Sequence, residues 1–251
     1  MNERIKNEID AYDNDKLERD DIHSLLNYCY YYSYLNLLDD ARRNIVEYID
    51  DQKLEIGSRT WYSWFFHNKP PIPVDKVSCI NISTNEISKG KALDEESGEK
   101  INFVIGDAHD MPFSDSSFSL VFGSSILHHL ELQKGLEEIV RVLEPGGKII
   151  FEEPLNINPF YKLFRLFTPS LRTKDEKAFT FQELNLFKKY FDVNIYYYNF
   201  LSIPLGILAK LLFKSYENPI SRFAGSLDKV ILSMPILKYL AAKVLIVGTP
   251  K

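Results

Sequence analysis

Short apolar runs alternate with stretches of helical spacing through the middle of the chain. The runs predict strands at five places, Lys53–Ile56, Lys76–Ile82, Ile101–Ile105, Phe118–Phe122 and Lys148–Glu152. Helices are predicted between them at Thr84–Leu93 and Leu132–Leu143, and the second is stopped by the Pro145-Gly146-Gly147 turn. Strands that alternate with helices at this spacing predict an α/β fold with a Rossmann-like, mostly parallel sheet and helices on both faces.

The two ends of the chain follow a different pattern. Residues 1–50 predict a helical N-terminal extension, with apolar positions at helical spacing from Leu25 to Ile45. Residues 51–251 form the main domain, with helical inserts at about 154–180 and 199–242. The stretch from Thr180 to Tyr190 begins like a capping box, and further strands are predicted at Asp192–Tyr198 and Lys243–Val247.

The segment Ile101–Leu130 carries the most chemistry. Its first strand ends in Gly106-Asp107-Ala108, and its second ends in small polar residues followed by a histidine pair. Ligands of open α/β sheets bind outside the carboxyl ends of the strands. These side chains therefore predict one wall of a ligand site, against the plainer interpretation of two buried strands with ordinary turn residues.

The same segment resembles the core of the class I S-adenosylmethionine-dependent methyltransferases, in which runs of the form GDA…PF…SFD…HH recur. The resemblance covers roughly residues 50–155, with weaker matches at 180–200 and 243–250. It implies that the last two strands form an antiparallel pair at the sheet edge. It also implies S-adenosylmethionine as cofactor and a small-molecule acceptor, methylated at oxygen.

The resemblance implies a role for each matching residue. Glu55, Gly57 and Ser58 belong to the loop that follows the first strand, where Glu55 and Gly57 line the methionine and ribose part. Asn81 meets the ribose and Ile82 packs on the adenine. Asp107 accepts from the adenine amino group, the Ala108 amide donates to a ring nitrogen, and Ser124 closes the methionine side.

The match is imperfect in the glycine-rich loop. Arg59 and Trp61 stand where the family has further glycines, and Asn81 replaces an acidic residue that bonds both ribose hydroxyls. An amide lacks the charge assistance of a carboxylate. These departures leave open a catalytically degenerate binding or scaffold protein of the same fold. A nicotinamide oxidoreductase fits poorly, because its glycine-rich turn would meet the same two side chains.

Candidate catalytic groups are His128, His129 and Glu153, with Glu152 beside them. Methyl transfer needs alignment above all, and an oxygen acceptor also benefits from a general base. Each histidine also has a plain structural interpretation. His109 is expected at the surface, and no cluster has the spacing of a metal site. Aromatic residues of 154–180 are expected to line an apolar acceptor cavity.

The composition of the chain bears on its binding partners and its cellular location. The formal charge of −5 offers no basic field for nucleic acid, and two cysteines in 251 residues indicate a reducing, cytoplasmic location. No apolar run is long enough to predict a transmembrane segment. The sequence leaves the oligomeric state open, a dimer included.

Overall fold

A computed structural model describes residues 20–48, 50–57, 76–97, 101–168 and 177–251, with five residues nearer the N-terminus. Its strands are β1 (Lys53–Ile56), β2 (Val77–Asn81), β3 (Asn102–Ile105), β4 (Phe118–Ser124), β5 (Leu143–Pro154), β6 (Phe191–Tyr198) and β7 (Lys243–Pro250). They form one sheet in the order β3-β2-β1-β4-β5-β7-β6, in which only β7 runs antiparallel to its neighbours. The predicted α/β class, with a mostly parallel sheet and an antiparallel edge, is confirmed.

The described helices are α1 (Asp20–Ile45), α2 (Thr84–Ser97), α3 (Leu132–Val142), α4 (Pro159–Phe167), α5 (Phe181–Tyr190), α6 (Ser202–Leu212) and α7 (Pro219–Leu232). Short 3-10 turns occur at Val46–Tyr48, Leu127–His129 and Leu237–Leu240. A helix was also expected at residues 61–66, which lie outside the described residues.

Two apolar layers cover the two faces of the sheet. On one face α1 buries Leu37, Leu38 and Ile45 against strand residues that share that face, Val77, Leu120, Phe122, Ile150 and Leu245. On the other face α3 and α5 bury side chains of their own against Val121, Ile149 and Phe151. Because successive strand residues point to opposite faces, neighbouring polar residues at the strand ends enter different surroundings.

The insert between β6 and β7 packs on α1 through two glycines. A Cβ added at Gly206 of α6 would lie 2.5 Å from the Cα of Cys29, and one at Gly225 of α7 would lie 2.7 Å from the Cβ of Tyr32. The Cys29 thiol also donates to the Ile203 carbonyl at 3.4 Å. These close contacts require the absence of a side chain, and they join the insert to the N-terminal helix.

The helix ends show where local sequence sets structure. Thr180 caps α5, and Glu183 returns a bond to the Thr180 backbone amide, which confirms the predicted capping box. Within the insert 199–242, the apolar pattern predicts helical segments at Ile203–Phe213 and Leu227–Ala241. The first corresponds to α6, but the second prediction was wrong, because α7 begins at Pro219 and ends at Leu232. Asn218 caps it by accepting from the Ser221 amide at 2.9 Å, and Pro219 occupies the first turn.

Candidate functional site

A row of polar side chains follows the carboxyl ends of adjacent strands on the face that α1 covers. Glu55 of β1 lies opposite Cys79 of β2 and Phe122 of β4. Asn81 follows Cys79 by two residues in β2, and Ser124 follows Phe122 by two residues in β4. Ser124 in turn pairs with Glu152 of β5. Because a strand has a two-residue repeat, all four polar side chains share one face of the sheet.

The end of β1 combines a buried carboxylate with a glycine turn. Glu55 is 1% exposed and accepts from the Cys79 thiol at 3.4 Å. Gly57 has a φ of +86°, in the left-handed region that favours glycine, and its amide donates to the Ile80 carbonyl at 2.9 Å. The chain thus bends at Gly57. Ser58, Arg59 and Trp61 lie outside the described residues.

Asn81 ends β2 as the resemblance implies, but its side chain has a structural task. Its oxygen accepts from the Ser83 amide at 2.9 Å, and Ser83 in turn accepts from the Glu86 amide at 3.1 Å. Both bonds hold the chain as it enters α2. Ile82 is half-buried between them. A ribose hydroxyl that donates to Asn81 would have to share the oxygen that Ser83 already uses.

Asp107 projects from the turn after β3 and is paired with His109. One carboxylate oxygen accepts from the His109 backbone amide at 2.9 Å and contacts the His109 Nδ1 at 2.6 Å. The opposite ring nitrogen, Nε2, accepts from the Glu131 amide at 2.9 Å. An accepting Nε2 leaves the proton on Nδ1, which then donates to Asp107. The His109 side chain is partly buried, with 17% of its surface exposed, and its ring links two loops.

The loop after Asp107 is fastened to α3 by an ion-pair cluster. Arg141 donates to the carbonyls of Met111 and Phe113 at 2.9 and 2.8 Å, and it also pairs with Glu138 and Asp115. Glu138 accepts from the Met111 amide at 3.0 Å. Guanidinium and carboxylate together satisfy three backbone groups of one loop, so α3 fixes the position of the turn that carries Asp107.

Glu152 is the centre of a buried network at the tip of β5. Ser124 and Ser125 donate to its Oε2 at 2.6 and 3.2 Å, and the Lys243 ammonium lies 2.6 Å from its Oε1. Burial alone would raise the pKa of Glu152, but Lys243 and the two hydroxyls outweigh it and lower that pKa. Lys243 also lies 5.2 Å from the centre of the Tyr30 ring on α1.

Glu153 points to the opposite face and meets a different set of groups. Its Oε1 accepts from the amides of Ile126 and Leu127 at 3.1 and 2.7 Å, and its Oε2 lies 2.7 Å from Nδ1 of His128. Burial raises the pKa of Glu153 to about 8, and the neighbouring Glu152 adds to the increase against these amide hydrogen bonds. The His128 side chain is 5% exposed.

His129 lies beside this pair. Its ring centre is 4.2 Å from that of His128, with the planes tilted by 38°. The structure thus brings together the three predicted catalytic residues at the turn after β4. Among the described residues no group of histidine, cysteine and carboxylate side chains could hold a metal ion.

Comparison with known proteins agrees with this architecture. Residues 62–151 match the family model described as a methyltransferase domain. Across 86% of this chain and 80% of the other, the fold superposes with a TM-score of 0.57 on geranyl diphosphate C-methyltransferase from Streptomyces coelicolor, at 12% identity. This chain therefore shares the fold of that methyltransferase. The predicted resemblance to methyltransferases is confirmed.

Individual relatives match only part of this chain. Sarcosine/dimethylglycine N-methyltransferase of Aphanothece halophytica is 33% identical over 32% of this chain and 30% of its own length. Demethylmenaquinone methyltransferase of Paenarthrobacter aurescens is 33% identical over 40% of this chain and 41% of its own. The chain thus spans less than half the length of these relatives.

Part of the site was invisible in the sequence. Nothing near Lys243 indicates that its ammonium meets Glu152, and nothing near Tyr30 places its ring beside that ammonium. In the sequence, Arg141 is only one basic residue of an amphipathic helix, and nothing indicates its bonds to the Met111 and Phe113 carbonyls. Across the described part of the chain, none of the helices has the length and apolar character needed to cross a membrane.

Proposed function

We propose that this protein is an S-adenosylmethionine-dependent methyltransferase that acts on a small-molecule acceptor. One observation carries the proposal: Glu55, Asn81, Asp107 and Ser124 stand at the carboxyl ends of four adjacent strands of a methyltransferase fold. The alternative of a catalytically degenerate scaffold protein has no comparable support.

The residues present suit the cofactor. Asp107 contacts His109 through Oδ1. We propose that its Oδ2 accepts from the adenine amino group. Gly57 and Gly123 keep side chains out of the turn, since a Cβ at Gly123 would lie 2.7 Å from the Ile56 carbonyl oxygen. Glu55 places a buried carboxyl group in the row. When bound, the cofactor would supply a methyl group on a positively charged sulfur.

Calorimetric titration with S-adenosylhomocysteine tests this assignment. Asp107→Ala should weaken binding by about 1–3 kcal/mol, because the adenine amino group would lose its carboxylate acceptor. Asp110→Ala, three residues away with an exposed side chain, is the matched control and should bind normally. Unchanged affinity in Asp107→Ala would remove the adenine assignment. Absence of binding by the unmodified protein would favour the scaffold alternative.

For the acceptor we propose an apolar or aromatic hydroxyl compound, methylated at oxygen. α4 is the helix that follows the carboxyl end of β5, on the side of the sheet where the site lies. Its Phe160, Tyr161 and Phe164 are half-buried and do not belong to the core. Ligand pockets are usually lined by such side chains. One relative, demethylmenaquinone methyltransferase, is named for an apolar quinone acceptor.

We propose His128 as the general base, with Glu153 as its positioning partner and His129 packed beside it. With its hydrogen on Nδ1 donated to Glu153, the imidazole of His128 carries its basic lone pair on Nε2, the atom that would take the proton of a hydroxyl. Since the pKa of Glu153 is raised to about 8, the pair keeps an extra proton below that pH. The form able to accept a proton should therefore increase as the pH rises through about 8.

Turnover of a panel of phenols and quinols with a labelled methyl donor tests the base. His128→Ala should lower kcat by about 10²- to 10⁴-fold, the usual contribution of a general base. His129→Ala is the control for loss of packing and should retain most activity. Glu153→Gln should remove the rise in rate near pH 8. A pH profile that is the same in Glu153→Gln and in the unmodified protein would contradict the role of the pair.

A further inference from the structure

The two helices beside the site expose an unusually apolar surface. On α4, Leu163, Leu166 and Phe167 are 54%, 72% and 74% exposed. On α6 and the residue after it, five apolar side chains are between 36% and 78% exposed, namely Ile207, Leu208, Leu211, Leu212 and Phe213. α4 contacts α6, so these eight side chains belong to neighbouring elements, here called the α4–α6 surface.

This exposure is not a by-product of core packing. α6 packs on α1 through its opposite side, where Ile203, Gly206 and Ala209 are buried. The α4 helix contains no buried residue at all, although it is almost entirely apolar. An apolar face of this extent on a folded protein marks a surface that contacts a protein or a membrane.

Charge selects between these two partners. The chain as a whole has 35 acidic and 30 basic residues, but residues 154–168 and 199–216 contain no acidic residue. They contain four basic ones, Lys162, Arg165, Lys210 and Lys214. A segment that combines exposed Leu and Phe with Lys and Arg is typical of helices that lie in the interface of an anionic membrane.

The α4–α6 surface lies next to the proposed site. β6 runs parallel to β5, because both are antiparallel to β7. The carboxyl ends of β5 and β6 therefore lie on the same side of the sheet. The chain continues from Pro154 into α4 and from Tyr198 into α6. Glu55, Ser124 and Glu152 also lie at the carboxyl ends of their strands, so the α4–α6 surface flanks the site.

We infer that the α4–α6 surface docks the protein on an anionic lipid bilayer and that the acceptor enters from that bilayer. The docking does not depend on the chemistry of the site. The entry of an acceptor from lipid rests on the proposed methyltransferase function.

Vesicle sedimentation with the full chain tests the docking. The protein should sediment with phosphatidylglycerol vesicles and much less with phosphatidylcholine vesicles, and sodium chloride at 0.5 M should release most of it. The double variant Leu166→Glu/Leu211→Glu should lose at least tenfold in vesicle affinity. Ile236→Glu, which charges a side chain that is 80% exposed outside the two helices, should bind as the unmodified protein does.

Three outcomes would overturn the inference. One is failure of the unmodified protein to bind phosphatidylglycerol vesicles, and another is equal vesicle binding by the double variant. The third is a dimer that becomes monomeric in the double variant without any lipid dependence, since a second copy would then cover the surface.

Titration with S-adenosylhomocysteine separates this result from the proposed function. The double variant should keep the cofactor affinity of the unmodified protein, which also shows that it is folded. Loss of cofactor binding in the unmodified protein with vesicle binding intact would reject the methyltransferase proposal and leave the docking standing.

Discussion

Adjacent carboxylates at the tip of β5 lie on opposite faces of the sheet and have opposite properties. Glu152 and Glu153 are both almost completely buried, yet the pKa of the first is lowered and that of the second is raised to about 8. The difference lies in their partners, because Glu152 meets an ammonium and two hydroxyls, whereas Glu153 meets backbone amides and an imidazole. Burial penalises both carboxylates, and the neighbouring charge decides the outcome.

The largest expected effect comes from removing the cation on the Glu152 face. Lys243→Met should lower the free energy of unfolding by about 3–5 kcal/mol, because it leaves a buried carboxylate without its counter-charge. Urea denaturation at pH 7 measures the loss. The double variant Lys243→Met/Glu152→Gln should recover most of it, and a double variant as unstable as the single one would show that packing matters more than charge.

On the Glu153 face the expected effect is pH-dependent. The folded-state pKa of about 8 exceeds that of the unfolded chain, so Glu153 contributes stability at low pH that is lost as the pH rises through about 8. The limiting slope for one proton is about 1.4 kcal/mol per pH unit. Relative to Glu153→Gln, the unmodified protein should lose about 3–4 kcal/mol between pH 5 and 8 in urea denaturation. A constant difference between the two would contradict the raised pKa.

The loop clamp on α3 should produce a smaller effect that appears in binding. Arg141→Met removes the bonds to the Met111 and Phe113 carbonyls and should weaken S-adenosylhomocysteine binding by about 1–2 kcal/mol. Lys134→Met on the same helix is the control, since its ion pair with Glu131 is exposed. Equal affinities in calorimetry would show that the Asp107 turn keeps its position without the clamp.

The smallest effect should come from a single hydroxyl. Ser124→Ala removes one of the two hydroxyl donors to Glu152 while Lys243 and Ser125 remain, so unfolding should become easier by about 1 kcal/mol. Ser125→Ala, whose hydroxyl donates over the longer distance of 3.2 Å, should cost less. The reverse order in urea denaturation would mean that Ser125 is the main donor.

Local pattern predicted the sheet well and the site in part. β1 was predicted residue for residue, and the capping box at Thr180 was found because both partners lie within four residues. The start of α7 was missed, although Asn218-Pro219 is itself a helix-start signal. The contact of Lys243 with Glu152 could not be predicted, because it depends on strand order and not on neighbouring residues.

The side chains that proved most informative were those whose partners are distant in sequence. His109 carried no local signal beyond its polarity, and only the folded chain shows that it joins the Asp107 turn to Glu131. The resemblance to a known family supplied the role that is proposed for Asp107. It contained no information on Arg141, whose partners depend on how α3 packs over the loop.

The docking of Gly206 against Cys29 has a consequence for biosynthesis. α1 is translated first, yet its partners in α6, α7 and β7 follow at residues 202–250. At roughly 5–20 residues per second, the ribosome needs on the order of 10–40 s to reach them. Throughout that interval Leu37, Leu38 and Ile45 lack their β7 partners. In a nascent chain stalled before residue 200, Leu37, Leu38 and Ile45 could already pack on the earlier strands. The side of α1 that receives Gly206 and Gly225 would still lack its partners and would be open to chaperones.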